Sequence, residues 1–207
     1  MSPAKRRKKS EIPRLDSEDI LKIIEKAKRQ RDKCLIALLF LSGRRIQEVL
    51  SLRKQDFNFN TPQMLSFTTF NEKSYRQKST GEYNIPMRGK YYEQIEPKFS
   101  LEGPSGSRLS PFITAHLEQL DLTEYLFAPL RVRNNRTNIN RFRAYQILRE
   151  LDERLWLHAL RHLRFTSLAR VYRDNPVAMH SLTFHKQFES TLGYIRPLEV
   201  EERLSKT

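Results

Sequence analysis

The sequence predicts an α+β fold that is mostly α, with a small antiparallel β-sheet or hairpin packed on a helical bundle. Three observations predict it. Apolar residues recur at helical spacing through most of the chain, and one segment, Cys34 to Leu41, is almost wholly apolar. Two short runs rich in β-branched and aromatic residues, Leu65 to Phe70 and Glu82 to Met87, flank a polar stretch holding Gly81. The 207 residues, 38% hydrophobic and 30% charged, suit one domain or a domain and a half with its own core.

Taken in order, residues 1–13 form a flexible basic arm ending at Pro13. Asp16 or Ser17 then caps a helix with apolar positions Ile20, Leu21, Ile23 and Ile24, running to about Arg29. The central core helix runs from Asp32 to Ser42, and Gly43 ends it. A helix restarts over Arg45 to Leu52 with Ile46, Val49 and Leu50 inward. The hairpin strands follow. Residues 100–110 hold the densest Gly/Pro/Ser cluster and read as a loop. Helices are expected over Pro111–Leu120, Thr137–Glu153, Trp156–Tyr172 and Pro176–His185. A single domain over 14–196 precedes an acidic, amphipathic tail, 197–207, suited to docking on a neighbouring protomer.

Composition removes several classes. The single cysteine, Cys34, forms no internal disulfide and no cysteine-based zinc cluster, which excludes a secreted disulfide scaffold. No apolar run approaches the roughly 20 residues needed to span a bilayer. The basic N-terminus lacks the apolar segment of a secretory signal, so an intracellular, cytoplasmic protein is expected. Lys and Arg number 38 against 24 acids, a net charge of +14. Five of those charges lie in the arm (Lys5, Arg6, Arg7, Lys8 and Lys9), and the folded body carries the rest. Such an excess calls for a polyanion, with nucleic acid ahead of a membrane surface.

Chemistry gathers in four places. In Gly43-Arg44-Arg45-Ile46-Gln47-Glu48, an arginine at the end of an apolar helix reaches from a rigid scaffold toward an anion. Glu48 shares the helical face of Arg45 and can hold it; the plainer reading is a solvated basic pair. In His158-Ala159-Leu160-Arg161-His162, His158 and Arg161 share a face and can address one phosphate. His158 and His162 also have metal-ligand spacing, but the intervening Glu and an acidic third ligand are missing. His185 and Tyr194 stand nine residues apart near the end, and Lys78 lies in the hairpin tip.

In this order and spacing, GRRIQE (43–48), Lys78 ahead of Ile85-Pro86, HALRH (158–162), and His185 with Tyr194 resemble the catalytic domain of the tyrosine recombinases, the phage-integrase and Xer-like family. The resemblance covers about residues 15–196. It implies catalytic roles for Arg45, Lys78, His158, Arg161, His185 and Tyr194, with Glu48 and His162 in support. Arg44 stands where the family places an apolar residue and is expected to make an extra DNA contact. Thr183-Phe184 replace the Leu-Gly that often precedes the third-box residue. Lys73 and Arg76 lie near Lys78, and Lys73 is the alternative catalytic lysine.

The implied reaction makes physical sense. Cutting and resealing a phosphodiester without an energy source requires a covalent intermediate that stores the bond. Tyr194 attacks the scissile phosphate, giving a 3′-phosphotyrosyl link and a free 5′-hydroxyl. Arg45, Arg161 and His185 clamp the transition-state charge. Lys78 protonates the leaving oxygen, and His158 helps deprotonate the tyrosine. No metal and no cofactor are implied. The expected partner is double-stranded DNA at specific recombination sites, with a tetrameric synapse and no membrane.

Between Arg131 and Arg173 lie eleven arginines and three acids, so Arg133, Arg136, Arg141 and Arg164 join Arg44, Lys73 and Arg76 as DNA contacts. Asn134, Asn135 and Asn138 are candidates for bases or backbone. Family members usually carry a preceding core-binding domain, and the short arm here fits either a compact variant or a catalytic fragment. Two other readings compete with a recombinase: a nicking-closing enzyme similar to type IB topoisomerases, and a DNA-binding protein with the fold but no catalysis.

Overall fold

The computed structural model describes residues 13–61, 63–70, 94–129 and 138–205. Helix α1 spans Ser17–Glu25 and starts at Asp16, whose carboxylate accepts the Asp19 N–H at 2.9 Å. The Asp19 carboxylate accepts the Asp16 N–H in return at 3.2 Å, so two orphan amides are satisfied reciprocally. The helix stops at Glu25 rather than Arg29, because Ala27 turns inward and Arg29 is extended as the cap of the next element.

That element, α2 (Gln30–Ser42), is the central helix expected from its composition, with every residue from Cys34 to Ser42 buried. Each fully buried Leu or Ile contributes on the order of 1.5–3 kcal/mol. It begins at Gln30, whose Nε2 donates to the Phe112 carbonyl at 2.8 Å. Gly43 ends it at φ 59, and its N–H bonds the Leu39 carbonyl. A Cβ there would sit 2.8 Å from Phe165, so glycine is required by conformation and by space. Helix α3 (Ile46–Leu50) follows, shorter than expected.

After a 3-10 turn at Lys54–Asp56 come β1 (Phe57–Thr61), β2 (Met64–Phe67), β3 (Thr69–Phe70), β4 (Gln94–Ile95) and β5 (Lys98–Ser100). β2 is the middle of an antiparallel sheet ordered β1-β2-β5, and β3 pairs antiparallel with β4. Leu65 faces Phe99 in register and Phe67 lies between Phe57 and Phe99 at ring distances of 5.4 and 6.4 Å, so this face packs on the helices. The single strand expected over Leu65 to Phe70 is split at Thr68, whose N–H bonds the Asp56 carbonyl at 2.9 Å just before β1, while Thr69 and Phe70 turn to β4. β1 was not foreseen, since its Asn58 and Asn60 resemble turn residues. Glu82 to Met87 and Gly81 lie outside the described residues.

Helix α4 (Gly103–Glu118) corrects the sequence reading, which made 100–110 a loop. Pro104 sits in the first turn, where a missing N–H costs nothing. Gly106 lets the helix press on the end of β5, because a Cβ would come 2.4 Å from the Ser100 carbonyl oxygen. Leu109, Ile113 and Leu117 are its buried stripe. Helix α5 (Arg141–Leu151) is capped by Asn140, which accepts the Arg143 N–H and so fixes a later start than Thr137.

Helices α6 (Ala159–Val171) and α7 (Pro176–Thr183) are shorter at both or one end than expected. Helix α8 (Glu189–Ser205) carries Tyr194 and continues through most of the segment read as a tail. The core has two parts. Ala159, Leu160 and Leu163 of α6 join the main cluster, while Phe165 and Ala169 pack with Met179 and Ile195 in a smaller one. α6 is the shared wall, and the site lies along it. No helix among the described residues is long and apolar enough to cross a membrane.

Candidate active site

The Gly43 break turns the chain so that Arg45, extended at φ −72 and ψ 151, caps α3. Glu48 accepts the Arg45 backbone N–H at 3.0 Å with one oxygen and its Nη1 at 2.7 Å with the other. Glu48 has no exposed surface, and Arg45 is only 8% exposed, which rules out a solvated basic pair. A charged side chain this buried and doubly anchored is preorganised.

Arg161 on α6 is equally buried. Its Nη1 donates to the Gly43 carbonyl, and its guanidinium lies over the Phe165 ring, 4.3 Å from the centroid. Burial, with the charges of Arg44 and Arg45, pushes the Arg161 pKa down to about 9, against the pull of Glu48 and Tyr194. Three guanidiniums therefore crowd around one carboxylate. That arrangement is electrostatically costly by itself, and an anion beside Arg45 and Arg161 would offset the cost.

Arg44 is the clear correction. Expected as an extra DNA contact, it is 1% exposed, and its Nη2 donates to the Thr183 carbonyl at 2.7 Å. Its guanidinium lies over Phe184, 4.8 Å from the ring centroid. Burial lowers its pKa to about 10. Phe184 is the residue at positive φ (50) among the described non-glycines, in a left-handed turn that ends α7. Arg44 thus holds the turn leading into His185.

Tyr194 Oη lies 2.8 Å from His162 Nδ1. Its ring meets Phe165 edge-on at 5.5 Å and stacks on His185 at 6.0 Å with a 10° interplanar angle. Burial raises the Tyr194 pKa while Arg161 works the other way, so the resting phenol keeps its proton. His158 is expected to help deprotonate the tyrosine, and the group bonded to the hydroxyl is His162. His158 caps α6 and is exposed. Desolvation first, then the charges of Arg161, Arg141 and Arg45, lower its pKa against a backbone bond to Leu157, favouring neutral imidazole. His185 Nδ1 is 3.0 Å from Thr191 Oγ1, and its ring meets Phe165 at 5.0 Å.

One cluster therefore joins Arg45, Glu48, Arg161, His162, His185 and Tyr194, with His158 at its edge. Arg141 is exposed near His158, and Arg164 is half-buried with its stem beside Gly43, burial lowering its pKa. Asn138, a candidate DNA contact, is half-buried and donates to the Leu50 carbonyl at 2.8 Å. Lys73, Arg76, Lys78, Arg133, Asn134, Asn135 and Arg136 lie outside the described residues. Sequence reasoning missed Phe165, the ring on which Arg161, His185 and Tyr194 converge, although it follows Arg161 by one helical turn. It also missed Thr191, three residues before Tyr194. Among the described residues no three His, Cys, Asp or Glu side chains gather to hold a metal ion.

The model of the phage integrase family matches residues 13–200. No protein of curated function matches the chain in sequence. Among solved structures, the fold is similar to the XerH site-specific recombinase bound to palindromic difH substrate in a post-cleavage complex, with a TM-score of 0.63 at 16% identity over 91% of this chain and 50% of that one. It is also similar to the Tn1549 transposon integrase in complex with circular intermediate DNA, with a TM-score of 0.59 at 18% identity over 89% of this chain and 60% of that one. The chain spans half to three-fifths of the length of these two structures.

Proposed function

The chain belongs to the phage integrase family, and from that membership we propose that it is a site-specific DNA recombinase working through a 3′-phosphotyrosyl intermediate on Tyr194. The observation that carries this reading is the Tyr194 hydroxyl, 2.8 Å from His162 Nδ1 and beside the buried guanidinium of Arg161. A nucleophile, a proton acceptor and an anion clamp stand together.

In the proposed step Tyr194 Oη bonds to phosphorus and the bond to the 5′-oxygen breaks. The phenolic proton leaves through the His162 imidazole, which accepts it at Nδ1, and comes to rest on neutral His158 at the mouth of the site. Lys78 gives a proton to the leaving 5′-oxygen. Arg45, Arg161 and His185 take the growing charge of the non-bridging oxygens. The returning 5′-hydroxyl reverses each transfer, so the bond is conserved and no cofactor enters. Duplex DNA is the partner, and exchange between two duplexes requires self-association, proposed as a tetramer with the end of α8 docking on a neighbour.

The test is incubation with a pool of nicked duplexes of random sequence in EDTA, followed by denaturation. We expect a protein–DNA adduct from the wild type, enriched in a defined sequence, and none from Tyr194→Phe. An adduct without sequence enrichment turns the reading to a nicking-closing enzyme. DNA binding with no adduct leaves a non-catalytic DNA binder.

A further inference from the structure

Phe165 on α6 has no exposed surface and packs in the smaller core cluster with Ala169, Met179 of α7 and Ile195 of α8. Its ring also meets three groups of the site. The Arg161 guanidinium, one helical turn back, lies over it, 4.3 Å from the centroid. The rings of His185 and Tyr194 stand at 86° to it, at 5.0 and 5.5 Å. Those two rings are within 10° of parallel to each other, so Phe165 lies across both. A Cβ at Gly43 would come 2.8 Å from Phe165 Cε1, and the Gly43 carbonyl accepts from Arg161 Nη1. A ring enclosed on so many sides cannot shift without moving its neighbours.

We infer that Phe165 is a positioning residue whose ring face fixes the plane of the Arg161 fork while the same ring seats Tyr194. The inference rests on the proposed roles of Arg161 and Tyr194 in strand cleavage. The bond to the Gly43 carbonyl places one nitrogen of the guanidinium and leaves the fork free to swing about it. The electron-rich face of Phe165 attracts the cation and removes that freedom. Tyr194 and its neighbour Ile195 both rest on Phe165, so α8 is set against the surface that sets Arg161. Anion clamp and nucleophile therefore share one reference. Phe165 has no proton to exchange and fixes only where the transfers occur.

Fluorination tests the ring face with little change of shape. Replacing Phe165 by 4-fluoro- and then 3,4,5-trifluorophenylalanine withdraws electron density from the face in steps. In single-turnover adduct formation at saturating nicked duplex, the rate should fall at each step, reaching about 2–30-fold below wild type with the trifluoro ring. The urea midpoint should hold, and the monofluoro ring carries the comparison if the larger one lowers it. In an Arg161→Ala background the same fluorines should change the rate less than about twofold. Rates indifferent to fluorine, or an equal loss without Arg161, would overturn the inference and leave Phe165 as packing alone. The plane of the fork is read separately in the DNA-free full chain, from the Arg161 Nε–H NMR signal assigned with Arg161→Lys. The ring current of Phe165 should displace that signal, and Phe165→Leu should return it toward the position of a free arginine. A signal unmoved by Phe165→Leu would also overturn the inference. A displaced signal in a protein that never forms an adduct would sink the recombinase reading and leave the contact standing.

Discussion

At the scale of single residues, charge and protonation decide what the site does. Arg45 and Arg161 are held by Glu48 and by the Gly43 carbonyl before any DNA arrives, so they are paid for in folding rather than at the moment of reaction. Replacing either with alanine should slow single-turnover cleavage on the order of 10²–10³-fold, and Arg161→Lys should recover little, since an ammonium cannot span Gly43 and a phosphate as a fork does. Near-wild-type cleavage by either alanine variant would remove that arginine from the clamp. His158 supplies a pH signature. It works as a base only when neutral, and desolvation and its cationic neighbours lower its pKa. The cleavage rate should therefore hold down past the roughly pH 6.5 at which an unperturbed histidine titrates. Arg141→Gln removes one of the charges that lower it, which raises the pKa and moves the acid limb to higher pH. A pH–rate profile at saturating DNA that is unmoved, or that moves the other way, would sink this role for His158.

At the scale of elements, the turn between α7 and α8 stores strain beside the site. A non-glycine residue in the left-handed region costs about 1–2 kcal/mol, and Phe184 stays there because Arg44 bonds the preceding carbonyl and covers its ring. Arg44 and Phe184 are therefore expected to compensate one another. In a double-mutant cycle followed by urea unfolding, Arg44→Leu should destabilise the protein more in the wild-type background than in Phe184→Gly, with a coupling of about 0.5–3 kcal/mol. Additivity within about 0.5 kcal/mol would show that the two act apart. The same turn explains what could be read from the sequence and what could not. Arg45, Glu48, Arg161, His185 and Tyr194 were legible because their spacing is itself the motif, and α2 because a helix apolar on all sides has to be central. Arg44, Phe165 and Thr191 were not, since their partners lie on other elements and only packing brings them together. The first half of α4 was hidden for a related reason. Gly106 and Pro104 break helices when local propensity rules, but here close contact with β5 and a first-turn position make them fitting.

Across the whole molecule, +14 is spread over arm and body, and what matters for DNA is which of those charges face a phosphate. Counterion release makes the logarithm of affinity fall with the logarithm of salt by about 0.9 for each phosphate neutralised. A chain this basic should show a slope of about −5 or steeper on duplex DNA. The structure sorts the arginines behind that slope. Arg44 is shut in against Thr183 and Phe184, and we expect its charge to reach no phosphate. Arg141 stands exposed at the start of α5 beside His158. Measured as fluorescence anisotropy across a salt series, Arg141→Gln should flatten the slope by about 0.9 and weaken binding evenly over unrelated sequences. Arg44→Leu, folded and tested below its unfolding temperature, should leave the slope at the wild-type value while slowing cleavage through the His185 turn. A flattened slope in Arg44→Leu would mean that the buried arginine swings out to the DNA, and the compensation between Arg44 and Phe184 would then belong to the free protein alone.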